Sequence, residues 1–396
     1  MIATEQITEQ RNPAADQMLR GRDILCFSHD WSGDPLSKTH LMRVLARDNR
    51  ILWVNSIGNR TPTASKADIG RAWKKVRSFT EPIREPEPNI FVLNPLVVPA
   101  YGNPRVRQFN QRVLAGQVRR AMRKLSFKNA INMVFNPAAA IIAGKLGEAQ
   151  LIYYCVDEYT AFTGVAADSL AAQEAELCRK ADLVIVSAEK LYESKSRYNP
   201  QTHLIRHGVD FSHFRTALDP ATEVPAEIGN LPRPIIGFHG LIADWVDLEM
   251  MIKVARHFSG GSVVVVGKST TDTTKFEAEP NVHLLGRQPY ATLPSYCKGF
   301  DVAVNPFTIN ELTLNANPLK VREYLAAGLP VISTAIPEVE VLGQCRIGHD
   351  ADEFIREIEI ALADPGPSAE RSDAIRAESW EARVDQMREL LAGLRG

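Results

Sequence analysis

Short apolar runs bounded by polar turns recur along the whole chain, separated by stretches of helical periodicity. Asp23-Ile24-Leu25-Cys26-Phe27 is the first such run, and it leaves into the polar loop Ser28-His29-Asp30-Trp31-Ser32-Gly33-Asp34. Apolar positions then take helical spacing from about Ser37 to Asp48, before a second run, Arg50 to Asn55. Runs of this kind, apolar on both faces, read as strands of a parallel sheet covered by helices on both sides. The same reading gives strands at Ile90 to Leu93, Ile131 to Phe135, Leu151 to Val156, Asp182 to Ser187 and Thr202 to Arg206. Beyond a proline-marked stretch the alternation begins again. Strands are expected at Pro234 to Phe238, Ser262 to Val266, His283 to Gly286, Asp301 to Pro306 and Pro330 to Thr334. Helices are expected at Leu248 to His257, Tyr290 to Lys298 and around Ser379 to Leu394. Strand and helix alternating twice over predict an α/β protein of two Rossmann-like parallel-sheet domains facing a cleft. The expected divisions are a disordered start at 1–20, a first domain at 21–216, a linker at 217–232, a second domain at 233–378 and a final helix at 379–396.

Composition narrows this picture. A length of 396 residues with 45% hydrophobic content suits two globular domains. No apolar run approaches the roughly 18 residues of a membrane helix, and Met1 to Gln17 lacks the apolar core of a secretion signal. Five scattered cysteines without CxxC spacing point to a reducing cytoplasm and no structural zinc. The net charge of −1 conceals an asymmetry: residues 1–209 hold 29 Lys and Arg against 20 Asp and Glu, and the remainder holds 17 against 27. A basic first half suggests an anionic partner. The basic residues concentrate in Arg71-Ala72-Trp73-Lys74-Lys75-Val76-Arg77 and between Arg105 and Lys128. There Arg112, Arg119, Arg120, Arg123 and Lys124 alternate with Val113, Leu114, Val118 and Met122, as on an amphipathic helix. Such a helix either lies on anionic lipid or turns a solvated face outward. Nucleic acid is not expected, because no recognition module accompanies the charge.

The segment Asn317 to Thr334 concentrates the chemistry. Asn317 as N-cap and Pro318 at the first helical position open a helix, Gly328 ends it in the left-handed conformation, and Pro330 starts a strand. Open parallel sheets bind ligands beyond the carboxyl ends of their strands, where helix N-termini attract phosphate. Lys320 and Glu323 share one face of this helix. A cation near phosphates and a carboxylate one turn deeper can hold a diphosphate and a ribose diol, although the same spacing also makes an ordinary surface ion pair.

Lys320-x-x-Glu323-Tyr324-Leu325-Ala326-Ala327-Gly328-Leu329-Pro330-Val331 resembles the nucleotide-sugar signature in the C-terminal domain of GT-B glycosyltransferases of bacterial polysaccharide type. The likeness is to teichuronic-acid and xanthan glucuronosyltransferase-like enzymes. It implies that Lys320 contacts the donor diphosphate and Glu323 the ribose hydroxyls. Many relatives carry a second glutamate eight residues before the first; here that position is Asn315, and Glu311 is out of register. Asn315 is thus a donor-side candidate at a departure from the family pattern. The resemblance also implies that the final helix returns to the first domain and that Gly240, with His239 beside it, neighbours the diphosphate. It puts the strand exit Gly286-Arg287-Gln288-Pro289 at the nucleobase; Arg287 alternatively balances the phosphates by bidentate contact.

In the first half, Tyr153-Tyr154-Cys155-Val156 leads into Asp157 and Glu158 at the carboxyl end of a strand. A carboxylate there can take the proton of an attacking sugar hydroxyl, or simply cap a turn. The resemblance assigns the base to Asp157, with Glu158 as the second candidate. His29 and Asp30 are expected to orient the acceptor, or to pair so that the carboxylate fixes the imidazole tautomer. Two patterns carry no site. Gly261 to Ser269 nearly spells a phosphate-binding loop, but five residues of a valine strand separate its glycines. His203 and His207 have metal spacing only on a helix; in a strand they stand about 13 Å apart.

The expectation is a cytoplasmic, metal-independent hexosyl- or glycuronosyltransferase at the inner membrane surface, taking a nucleotide-sugar (UDP-sugar by family weight) as substrate and using no cofactor. Its acceptor is a saccharide or lipid-linked saccharide of cell-surface polysaccharide synthesis, with inversion if Asp157 is the base and retention, assisted by the departing phosphate, if it is not. Two alternatives stay open: a sugar-nucleotide epimerase of the same fold, needing no acceptor, and a non-catalytic membrane-associated scaffold, suggested by Asn315.

Overall fold

A computed structural model describes residues 17–56, 83–96 and 104–393. The basic segment Arg71 to Arg77 and residues 1–16 of the polar start lie outside the described residues. The first sheet contains β1 (Asp23–Phe27), β2 (Arg50–Val54), β3 (Arg84–Glu87), β4 (Ile90–Leu93), β5 (Ile131–Val134), β6 (Gln150–Cys155), β7 (Leu183–Val186) and β8 (Thr202–Leu204), in the order β3-β4-β2-β1-β5-β6-β7-β8. Among the described residues of this sheet, only the edge pair β3–β4 is antiparallel. The second sheet contains β9 (Ile235–His239), β10 (Ser262–Val266), β11 (Val282–Gly286), β12 (Val302–Asn305), β13 (Val331–Thr334) and β14 (Arg346–Gly348), all parallel, in the order β11-β10-β9-β12-β13-β14. The central strands are apolar on both faces because helices cover both; β1, β9 and β10 are buried at every position.

The change from one core to the other comes earlier than the proline content of 217–232 suggests. Val209, Phe211, Phe214, Ala217 and Ile228 all pack into the second core. The chain returns at its end: the helix Trp380–Gly393 sets Trp380, Val384, Met387 and Leu391 among Leu41 and Trp53 of the first domain. Gly208 permits that return, since a β-carbon there would lie 2.8 Å from the Trp380 backbone. The helix Pro104–Lys124 buries Leu114, Val118, Ala121 and Met122 against the first core and leaves Arg112, Arg119, Arg120, Arg123 and Lys124 exposed. No helix among the described residues is long and apolar enough to cross a membrane.

Candidate active site between the two sheets

In both sheets the strand order reverses beside the first strand. β1 has β2 on one side and β5 on the other, and β9 has β10 and β12. Crevices at the carboxyl ends of these strands are where such sheets bind ligands.

The second-domain wall is organised by the helix Leu319–Ala326. Its N-cap is Pro318 rather than Asn317. The Asn317 side chain is drawn instead into the domain junction, where Nδ2 donates to the Ser187 carbonyl at 2.7 Å and Oδ1 accepts from buried Arg322. The other end is as expected, with Gly328 in the left-handed region at φ +84°. Lys320 lies across Gly240, whose φ is +144° and whose added β-carbon would overlap the lysine chain; only glycine fits there. The Tyr324 hydroxyl accepts from the His239 N–H at 2.7 Å and reaches the His239 carbonyl at 3.1 Å, fastening the exit of β9 to this helix. The Lys320 ammonium stands 5.8 Å over the Phe307 ring, and His239 Nε2 lies 3.8 Å from Glu323 Oε2.

Burial governs the charges on this wall. It pushes Glu323 up to about 7, with Lys320 opposing and Asp210 adding. It lowers Lys320, with Glu323 opposing. His239 is driven down to about 3 by burial and then by Lys320, so the imidazole is neutral, and its Nε2 has no hydrogen-bond partner among the described residues. A cation, a carboxylate and a neutral ring nitrogen thus converge beside a helix N-terminus.

On the first-domain wall, Asp157 follows β6, and burial pushes it up to about 6 against the pull of Lys38. Lys38 was not among the sequence candidates. It occupies the first turn of the helix Ser37–Ala46 after β1, its ammonium 5.7 Å over the Tyr159 ring. Only the polar exit of β1 hinted at it, because its partner comes from a different strand.

Glu158 is corrected from candidate base to structural group. Its Oε2 accepts from Lys195 at 2.8 Å and its Oε1 from the Thr160 hydroxyl at 2.5 Å. Lys195 also holds Glu174 at 2.8 Å, which in turn accepts from the Tyr153 hydroxyl. Burial works to raise Glu158, but Lys195 pulls it below the ordinary carboxylate range. The supposed His29–Asp30 pair is likewise corrected. His29 meets the hydroxyls of Ser28 (3.1 Å) and Thr39 (3.3 Å), and Asp30 turns outward to accept from the Ser56 N–H at 3.2 Å. His29 faces the edge of Trp53 and is lowered to about 3 by burial and then by Lys38.

At the rim, Arg287 reaches the other domain and pairs with Asp34 through Nε at 2.9 Å. Asn315 donates to the Glu311 carbonyl at 2.7 Å. Thr163 donates to Asp244 at 2.6 Å, a second contact across the cleft.

Residues 233–364 match the family model described as Glycosyl transferases group 1. The Bacillus subtilis protein named as the teichuronic acid biosynthesis glycosyltransferase TuaH is 23% identical over 262 residues, which are 60% of this chain and 66% of that one. Sucrose-phosphate synthase from Thermosynechococcus elongatus superposes with a TM-score of 0.68 at 17% identity, covering 94% of this chain and 99% of that one. Anabaena HepE in complex with UDP-glucose gives 0.59 at 14% identity, covering 94% and 97%. The chain has the GT-B fold and carries a glycosyl transferases group 1 domain. All donor-side candidates of this GT-B chain, His239, Gly240, Arg287, Asn315, Lys320 and Glu323, fall within the matched residues; Lys38, His29 and Asp157 fall outside them.

Proposed function

We propose that this GT-B chain is a glycosyltransferase moving a hexosyl or glycuronosyl group from a UDP-sugar to a saccharide or lipid-linked saccharide in cell-surface polysaccharide synthesis. The observation that carries this reading is the convergence of Lys320, Glu323 and His239 at the β9–β12 crevice. UDP is chosen because HepE was solved with UDP-glucose.

The acceptor hydroxyl oxygen attacks the anomeric carbon while Asp157 takes its proton. The new carbon–oxygen bond forms as the bond to the diphosphate oxygen breaks. The nucleoside diphosphate leaves with that electron pair, its charge met by Lys320 and the N–H groups at the helix start. One displacement inverts the anomeric centre, and in this course protein cations meet the charge without a metal. The contacts Arg287–Asp34 and Thr163–Asp244 bring the walls together and limit water. The exposed cationic face of Pro104–Lys124 supports an acceptor at the inner membrane surface.

A thermal-shift screen of nucleoside diphosphates and their sugar conjugates tests this. UDP compounds are expected to give the largest stabilisation, and a flat screen would refute the reading. Conversion of the donor without acceptor would identify an epimerase instead.

A further inference from the structure

We propose that Lys38 is a positioning residue for Asp157, its ammonium facing the carboxyl across the strand ends and keeping it charged and open toward the acceptor hydroxyl. This rests on the transfer reaction proposed above. β1, β5 and β6 are neighbours in the first sheet, so the exits of β1 and β6 share one edge. From the first turn after β1, Lys38 reaches the ring of Tyr159 at 5.7 Å, two residues beyond Asp157. Tyr159 is itself fixed by its hydroxyl on the Phe135 carbonyl, 2.5 Å away at the exit of β5. The charged and titratable groups coupled electrostatically to the ammonium include Asp157, the thiols of Cys26 and Cys155, and the imidazoles of His29 and His207.

The contrast with the next residue gives the arrangement its meaning. Lys195 touches Glu158 directly and occupies one of its oxygens. Lys38 and Asp157 are coupled through charge without an ion pair between them. A cation in direct contact would consume the lone pairs a base needs. A cation set back favours the ionised form and leaves both oxygens free.

The test is an NMR titration of aspartate-labelled protein, with Asp157→Asn assigning the signal. In Lys38→Met the Asp157 midpoint is expected to rise by roughly one pH unit or more, and in Lys38→Arg to stay near the wild-type value. An unchanged or lower midpoint in Lys38→Met overturns the proposal, as does a Lys38→Arg midpoint equal to that of Lys38→Met. Lys38→Gln supplies the same measurement if the methionine variant does not fold. Calorimetric titration of the wild type with UDP runs alongside: absence of binding counts against the transfer reading, while the midpoints still report on Lys38.

Discussion

Each wall of the cleft carries a lysine and a carboxylate, but the two pairs are built differently. Lys320 and Glu323 come from one turn of one helix, so their proximity is a local property of the chain. Lys38 and Asp157 come from the exits of β1 and β6 and share a sheet edge only because β5 pairs with both strands. The donor wall therefore depends on helix geometry, and the acceptor wall on sheet assembly. A sharper contrast lies between adjacent residues. Glu158 is closed off by Lys195 and Thr160, while Lys38 acts on Asp157 through its charge.

Substitutions that separate these pairs test the contrast. Asp157→Asn is expected to have the largest effect, lowering transfer by roughly 10²- to 10⁴-fold while UDP affinity measured by calorimetry is retained. Wild-type transfer should rise with pH through a midpoint of about 6, because the base acts only when ionised. Glu158→Gln should act on the fold instead. Breaking a buried pair costs about 3–5 kcal/mol, visible in denaturant unfolding, and the pH midpoint of transfer should stay in place. Lys320→Ala should weaken UDP binding roughly 10- to 100-fold, the value of a hydrogen bond to a charged group, with no change in the Asp157 titration.

The smallest effect is expected for Glu323→Gln. The folded protein holds the Glu323 proton up to about 7 against an ordinary 4.5, so the native state binds more protons across that window and stability falls as pH rises through it. Melting temperature followed against pH without ligand should show that decline in the wild type and a flatter profile in the variant.

Much of the fold was legible because buried parallel strands are apolar on both faces; Leu248–His257 and Ser262–Val266 fall where the pattern puts them. The strands β3 and β14 escaped it, the first a charged, largely exposed edge and the second only 3 residues long. That Lys320 and Glu323 lie one turn apart on one helix was readable from spacing, and their donor role rests on the resemblance. Lys38 was not readable, since no periodicity links residues on different strand exits. The same limit explains Glu158 and Asn317: as residue types they suited a base and a cap, and partners distant in sequence, Lys195 and Ser187, took them for other work.

The most direct test is a crystal structure of the protein with whichever nucleoside diphosphate stabilises it most. The account predicts the diphosphate within hydrogen-bond reach of Lys320 Nζ and the ribose hydroxyls on Glu323. A nucleotide bound elsewhere, or seated here with both side chains turned away from it, would contradict it.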